Sequence, residues 1–324
     1  MSKSALMIYE DDNGHYNVGD YIQSLAAKGF LTEANIFINR EKLALYEGEK
    51  AKIIMNGWFT HTKNNNWIPS PKLDTLFVAF HINNLAKNII LSKEGIAYLK
   101  SREPIGCRDQ NTVNLLTKVG VKAYFTGCLT LTLDRYKKEN IEREGIYIVD
   151  PLYNYPQSKY IFYSPKTAIR GILTGRAFRL GKLKKHLKNI FTEELLNTAK
   201  YRCQVLPGRD VTEEQRFEVA ESLLEEYSKA KLVITSRIHC ALPCLAMGTP
   251  VIYINGFDNI VDTCRFEGIM DLFNCINVDP KSGIFTANFD LKDKIGIDTL
   301  VKNSDKYIEL ANRMRKICLE FADS

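Results

Sequence analysis

Short apolar runs alternate with helix-patterned stretches along most of the chain. Residues 5–9 (ALMIY) are an apolar run closed by Glu10, Asp11, Asp12 and the turn pair Asn13-Gly14, which predicts a first strand. A helix is expected next. Asn17 is a good N-cap, Asp20 stands three residues on as in a capping box, Val18, Ile22, Leu25 and Ala26 share one face, and Gly29 supplies the stop. Strands follow at 36–38, 52–55 and 76–80, then a helix at about 94–100 and a short strand at 104–107. A helix at about 111–119 stops at Gly120, and a strand at 121–125 comes after it. The stretch from Thr130 to about Glu144, polar and charged after Leu133, reads as a connector.

A second series begins with GIYIV at 145–149. It continues with a long helix at 212–229, whose Thr212 and Gln215 form a plausible capping box, and a strand at 232–235. A short helix ends at Gly248, Thr249-Pro250 opens a strand at 251–254, and an amphipathic helix spans about 304–321. Apolar runs of strand length separated by helices predict mostly parallel sheets covered by helices. The expected fold class is α/β, with two Rossmann-like domains at 1–140 and 141–302, and a terminal helix, 303–324, packing back on the first domain.

Size and composition agree with that division. The chain has 324 residues, 45% hydrophobic and 25% charged, an ordinary globular balance with room for a core in each half. No apolar run approaches the roughly 20 residues of a membrane helix, and residues 1–9 lack the long apolar segment of a secretory leader. A cytoplasmic protein is expected. The eight cysteines include no Cys-x-x-Cys and sit in or beside apolar stretches, as reduced core residues do. Cys240 and Cys244, one helical turn apart and next to His239, make a metal site conceivable, but no fourth ligand is in sight, and metal-independent chemistry is expected. The net charge of +6 suits a small anionic substrate and does not by itself argue for nucleic acid. The densest basic stretch is 176–188, RAFRLGKLKKHLK. It reads either as a solvated helix face or as a contact with anionic lipid at a membrane surface.

Chemistry concentrates at 231–243, KLVITSRIHCALP. An apolar strand delivers Ser236, Arg237 and His239 to its carboxyl end, where ligands of open α/β sheets gather. Pro243 is cheap in a first helical turn, which places Arg237 and His239 in the turn or at the helix start. Arginine grips phosphate or carboxylate in bidentate fashion, and free helix-start N–H groups add a second attraction for an anion. A histidine beside it can move a proton. The structural alternative pairs Arg237 with a nearby carboxylate and makes His239 a satisfied packing residue. No phosphate loop of the Gly-x-x-x-x-Gly-Lys-Ser/Thr type occurs.

Three segments carry a family resemblance. TSRIHCALPCLAMGTPVIYIN at 235–255, NVGDYIQSLA at 17–26 and GCRDQNTVNLLTKVGVKAYFTGCLTLTL at 106–133 resemble, in order, motifs of the polysaccharide pyruvyltransferase family. The resemblance implies a glycosyltransferase-B-like fold, phosphoenolpyruvate as donor co-substrate without a further cofactor, and transfer of its enolpyruvyl unit onto sugar hydroxyls as a pyruvate ketal. It implies that Arg237 and His239 face the donor, with Ser236 beside them and Arg108 as a second cation. The helix start at Asn17 and Asp20 then faces the acceptor, Asp20 orienting a sugar hydroxyl or serving as base and Gln23 assisting. Trp58, His61 and His81 are further acceptor candidates. Each has a plainer alternative: a helix cap for Asn17 and Asp20, a local Arg108–Asp109 pair, loop positions for the two histidines, and a core or rim place for Trp58. The acceptor is expected to be a sugar, lipid-linked or free, in surface or capsular polysaccharide synthesis, with peripheral contact at the inner membrane face through 176–188. Two rival readings stand beside this one: a nucleotide-sugar glycosyltransferase of the same architecture, and a non-catalytic binder of anionic glycans or lipids.

Overall fold

The computed structural model describes residues 3–9, 14–58, 67–156, 161–162, 164–256, 263–291 and 293–324. Two six-stranded sheets organise them. The first contains β1 (Lys3–Ile8), β3 (Ala34–Asn39), β4 (Ala51–Trp58), β5 (Leu73–His81), β6 (Ile105–Cys107) and β7 (Ala123–Phe125), all parallel, in the order β3-β1-β4-β5-β6-β7. The second contains β8 (Ile146–Val149), β9 (Lys200–Arg202), β11 (Leu232–Thr235), β12 (Val251–Asn255), β13 (Asn274–Val278) and β14 (Phe285–Ala287), in the order β9-β8-β11-β12-β13-β14. Only β14 runs antiparallel there.

The two sheets share one winding. In each, the second strand pairs outside the first and the remaining strands follow on the other side. The order therefore reverses between β1 and β4 in one sheet and between β8 and β11 in the other. At such a reversal neighbouring connections leave in opposite directions and open a crevice at the carboxyl ends of the strands. The large parallel sheets make this a mixed α/β protein compatible with Rossmann-like and glycosyltransferase-B-like folds.

Period-two alternation assigns each strand a face toward the middle and a face outward. Leu6, Ile54 and Val78 of the first sheet and Tyr147, Val149, Val233, Val251 and Tyr253 of the second turn into one central core. Ala5, Ile53, Met55 and Phe77 turn to an outer core that includes Leu99, Val113 and Leu116. Ile146, Ile148, Ile234, Ile252 and Ile254 turn to a second outer core with Leu187, Ile190 and Leu195. The central core also takes residues from the helices Val18–Lys28, Glu213–Ser228, Ile238–Ala246 and Tyr307–Asp323. A Leu or Ile truncated to Ala in such a core costs about 2–5 kcal/mol. Cys240 and Cys244 are wholly buried in this layer.

The sequence expectations meet three corrections here. The expected connector at 130 to about 144 is partly structured: residues 129–136 form 3-10 turns with Leu129, Leu131 and Leu133 fully buried, and only 137–145 lack helix or strand. The intervening threonines make burial affordable: Thr132 Oγ1 donates to the Leu129 carbonyl at 2.8 Å and Thr130 Oγ1 to Cys128 Sγ at 3.3 Å. Asp20 does not complete a capping box. It pairs with Arg40 at 3.5 Å, while Asn17 alone caps the helix by accepting from the Gly19 N–H at 3.1 Å. Pro243 lies inside the helix Ile238–Ala246 rather than in its first turn. A proline there leaves the carbonyl four residues back, that of His239, without its helical donor. The side-chain amide of buried Gln204 reaches it at 3.5 Å.

A short antiparallel ribbon, β2 (His15–Asn17) with β10 (Val205–Pro207), ties the start of the first helix to the second half of the chain. The Val18 N–H donates to the Gln204 carbonyl at 2.7 Å. The Thr212–Gln215 capping box is present at Glu213–Ser228. Arg216 of that helix donates to Glu213, to the Tyr21 hydroxyl at 3.1 Å and to the Gly208 carbonyl at 2.9 Å. The terminal helix packs back on the first sheet, where Lys52 Nζ donates to the Phe321 and Ala322 carbonyls at 2.8 and 3.0 Å.

Candidate functional site

The two crevices face each other across the first turn of the helix Val18–Lys28. A pocket on the second sheet's side is lined by Asn17, Asp20, Arg108, Tyr153, Gln204, Ser236, Arg237, Ile238, His239 and Arg265. A shallow one on the first sheet's side is lined by Met7, Ile8, Tyr9, Asp20, Gln23, Ser24, Arg40 and Asn56. Asp20 belongs to both.

The turn after β11 is tied down on every side. Thr235 Oγ1 donates to the Val149 carbonyl and accepts from the Arg237 N–H, both at 2.9 Å. Ser236 Oγ donates to the Ile254 carbonyl at 2.6 Å and accepts from the Leu152 N–H at 2.8 Å. Ser236, 1% exposed, thus braces three strand ends while lining the pocket, with its one hydroxyl proton already given to the Ile254 carbonyl. What the bracing fixes is Arg237. Its Nε donates to Asp150 Oδ2 at 2.9 Å and its guanidinium lies 3.9 Å over the Tyr153 ring. Asp150 also accepts from the Gln204 N–H at 2.9 Å. Asp150 and Leu152 both have positive φ, 42° and 45°, a conformation that side chains other than glycine adopt at a cost of about 1–3 kcal/mol. The turn 150–152 spends that strain on aiming a carboxylate and an aromatic ring at one arginine.

Two more arginines converge on the pocket. Arg108 follows β6 at 3% exposure, and its Nε is buried without a hydrogen-bond partner among the described residues. Burial works against its charge, with Asp109 in support and Arg265 opposed. Arg265, from the 3-10 turn Thr263–Phe266, donates to the Tyr153 hydroxyl at 2.6 Å. Three guanidinium groups around one small cavity form a site for an anion with more than one charged group.

His239 is the neutral member of this set. Its Nε2 is buried without a hydrogen-bond partner among the described residues. Burial first, and then Arg108, Arg265, Arg237 and Arg40, hold its pKa well below the ordinary histidine value of 6.5. At neutral pH it is an uncharged imidazole facing guanidinium groups. An incoming anion cancels part of the repulsion that keeps the proton off, so anion binding and protonation of His239 favour each other.

The remaining expected residues divide. Asn17 and Asp20 are in the pocket. Gln23, 5% exposed, lies in the neighbouring crevice, where its backbone carbonyl accepts from Asn56 Nδ2 at 2.9 Å. Gly57, φ 102°, lets β4 pass that side chain closely, since a Cβ there would meet Gln23 at 2.7 Å. His81 is not a loop residue open to an acceptor. It is 1% exposed, its Nδ1 donates to Asp109 Oδ2 at 2.6 Å, and burial lowers its pKa to about 4. Asp109 in turn caps the helix Gln110–Lys118 through the Thr112 N–H and hydroxyl, both at 2.9 Å, instead of pairing with Arg108. His61 and the side chain of Trp58 lie outside the described residues. Sequence reading missed Asp150, Tyr153, Gln204 and Arg265. Only Asp150, directly after the apolar strand at 145–149, stood where the pattern offered a signal.

A family model described as polysaccharide pyruvyl transferase matches residues 17–259. The match begins at the cap of the first helix, includes Arg108, Asp150, Arg237 and His239, and stops short of Arg265. No curated protein matches the chain. A solved structure described as a functional uncharacterized protein, KP1_0663 from Klebsiella pneumoniae subsp. pneumoniae NTUH-K2044, is 12% identical. It aligns with TM-score 0.41 over 81% of this chain and 87% of that one.

Proposed function

The chain belongs to the polysaccharide pyruvyl transferase family, and from that premise we propose that it transfers the enolpyruvyl group of phosphoenolpyruvate to a pair of sugar hydroxyls, forming a pyruvate ketal and releasing inorganic phosphate. The observation that carries the reading is the convergence of Arg108, Arg237 and Arg265 on the neutral imidazole of His239. Phosphoenolpyruvate brings a carboxylate and a phosphate on three carbons, and three guanidinium groups supply charge of the opposite sign with several N–H donors. The pocket volume, about 70 Å³, is well below the roughly 300–1,000 Å³ of sites for larger ligands.

The arginines hold the donor and stabilise the departing phosphate. His239, protonated as the anion binds, gives its proton to the methylene carbon, and positive charge develops on the neighbouring carbon. A sugar hydroxyl attacks that carbon and loses its proton, the C–O bond to phosphate breaks, and a second hydroxyl closes the ketal. Asp20, shared by both crevices, orients or deprotonates a hydroxyl, although its contact with Arg40 favours the orienting role. Residues 1–140 then form the acceptor side and residues 141–302 the donor side of a glycosyltransferase-B-like arrangement, acting on surface polysaccharide precursors.

The test is incubation with phosphoenolpyruvate and a panel of galactosides, mannosides and lipid-linked oligosaccharides. Phosphate release that requires an acceptor, together with a mass gain of one ketal-linked pyruvate, supports the reading. Nucleotide release from a nucleotide sugar, with no use of phosphoenolpyruvate, overturns it.

A further inference from the structure

We infer that Phe162 and residues 164–188 form a membrane-docking surface whose occupant is an anionic lipid bilayer. Five large apolar side chains there stand in solvent: Phe162 at 59% exposure, Ile169 at 60%, Ile172 at 51%, Leu173 at 82% and Phe178 at 79%. Ile169, Ile172 and Leu173 are spaced three and four apart on the helix Pro165–Leu173 and share one side of it. That helix is specified locally, by a complete Ser164–Thr167 capping box and a proline in its first turn, and it buries only Gly171. At Gly171 the helix packs on buried Ile161, which a Cβ there would meet at 2.8 Å. The apolar stripe thus has no partner within the described fold, and contiguous exposed apolar surface of this kind marks an interaction site.

Charge identifies the occupant. Residues 151–192 contain nine lysines and arginines and no acidic residue. That excess is larger than the +6 of the whole chain, so the rest of the molecule is net negative and the charge is polarised toward this segment. Exposed Arg170 and Arg176 flank the apolar stripe, and the helix Lys182–Ile190 adds exposed Lys184 and Lys185, with Lys188 paired to Glu193. A soluble polyanion would engage the cations and leave five apolar side chains in water. A second copy of this face would bring like charges together. An anionic bilayer takes both, the apolar side chains entering the headgroup–acyl boundary and the cations meeting the lipid charge. The inference is independent of the transfer reaction, because it is read by lipid binding alone.

The experiment is co-sedimentation of the full chain with vesicles of phosphatidylglycerol and phosphatidylcholine, and with vesicles of phosphatidylcholine alone. Binding to the mixed vesicles that weakens as salt rises, with little binding to the neutral ones, is the expected result. The double variant Leu173→Asp, Phe178→Asp should lower partitioning by at least about tenfold. Arg170→Gln with Arg176→Gln should lower it by about fivefold per charge removed. All four side chains are exposed, so circular dichroism and the urea midpoint should match wild type. Absence of binding to both vesicle types, or binding unchanged in both variants, overturns the proposal. So does a dimer, seen by analytical ultracentrifugation, that the Leu173→Asp, Phe178→Asp variant dissolves.

Discussion

A methyl group on Gly19 would stand 3.2 Å from both the Cβ and the Nδ1 of His239. The first turn of one helix and the strand end carrying Arg-x-His, more than 200 residues apart in sequence, are in direct contact. This contact separates fold stability from site geometry. Alanine is a better helix former than glycine by about 1 kcal/mol, which offsets the crowding of the capping Asn17 Oδ1, also 3.2 Å from that methyl, so Gly19→Ala should be close to wild type in stability. The imidazole, however, has to give way by a few tenths of an ångström. We expect transfer to fall by about tenfold with a nearly unchanged melting temperature, since small misplacements of a reacting group are costly. Turnover and melting measured on one preparation check this.

Asp150 holds Arg237 and the Gln204 backbone with the same carboxylate oxygen, from a backbone conformation that asparagine tolerates. Asp150→Asn should therefore keep the fold and lose the charge that orients the guanidinium. The loss of one charge-assisted hydrogen bond is worth about 1.5–3 kcal/mol. The expected result is a rise in KM for phosphoenolpyruvate of about tenfold or more, with a smaller change in kcat. A variant with wild-type KM would show that Arg237 needs no such partner.

The outline of the site was legible because an apolar strand followed by Ser236, Arg237 and His239 has few folded solutions, and the strand end is where ligands gather. Most strands of both sheets were legible for a related reason: parallel strands buried on both faces leave continuous apolar runs. Five strands were not: β2, β9, β10 and β14 have three residues each, too few to show a period, and β13, NCINV, breaks its apolar run with Asn277. Tyr153 and Arg265 escaped because each stands in a turn, where nothing local specifies direction, and enters the site only through tertiary contact. Pro243 misled because a proline inside a helix is unfavourable on sequence grounds. The compensating contact from Gln204 comes from a distant segment. His81 followed a strand pattern correctly, but only the fold seals it against Asp109.

Stability should fall on the acid side through buried histidines. The pKa of His81 is about 4 in the fold, below the 6.5 of an unfolded histidine. Between these values the unfolded chain binds the extra proton, so the contribution is complete above pH 6.5 and is lost as pH falls toward 4. Its full size is about 3 kcal/mol from the shift alone. His239, also depressed, acts in the same direction. Urea midpoints should drop steadily from pH 6.5 to 4. His81→Asn, less stable at pH 7 because of the smaller side chain, should show a shallower decline. Parallel declines in the two proteins would assign the acid loss to other groups.

The claim on which the rest depends is that three arginines and a neutral imidazole form a site for phosphoenolpyruvate. Calorimetric titration of that compound into wild type and Arg237→Gln at pH 7, without acceptor, tests it most directly. Saturable binding at one site in wild type, weakened at least about tenfold in the variant, is the predicted result. No heat of binding in wild type, or equal affinity in both proteins, would contradict it.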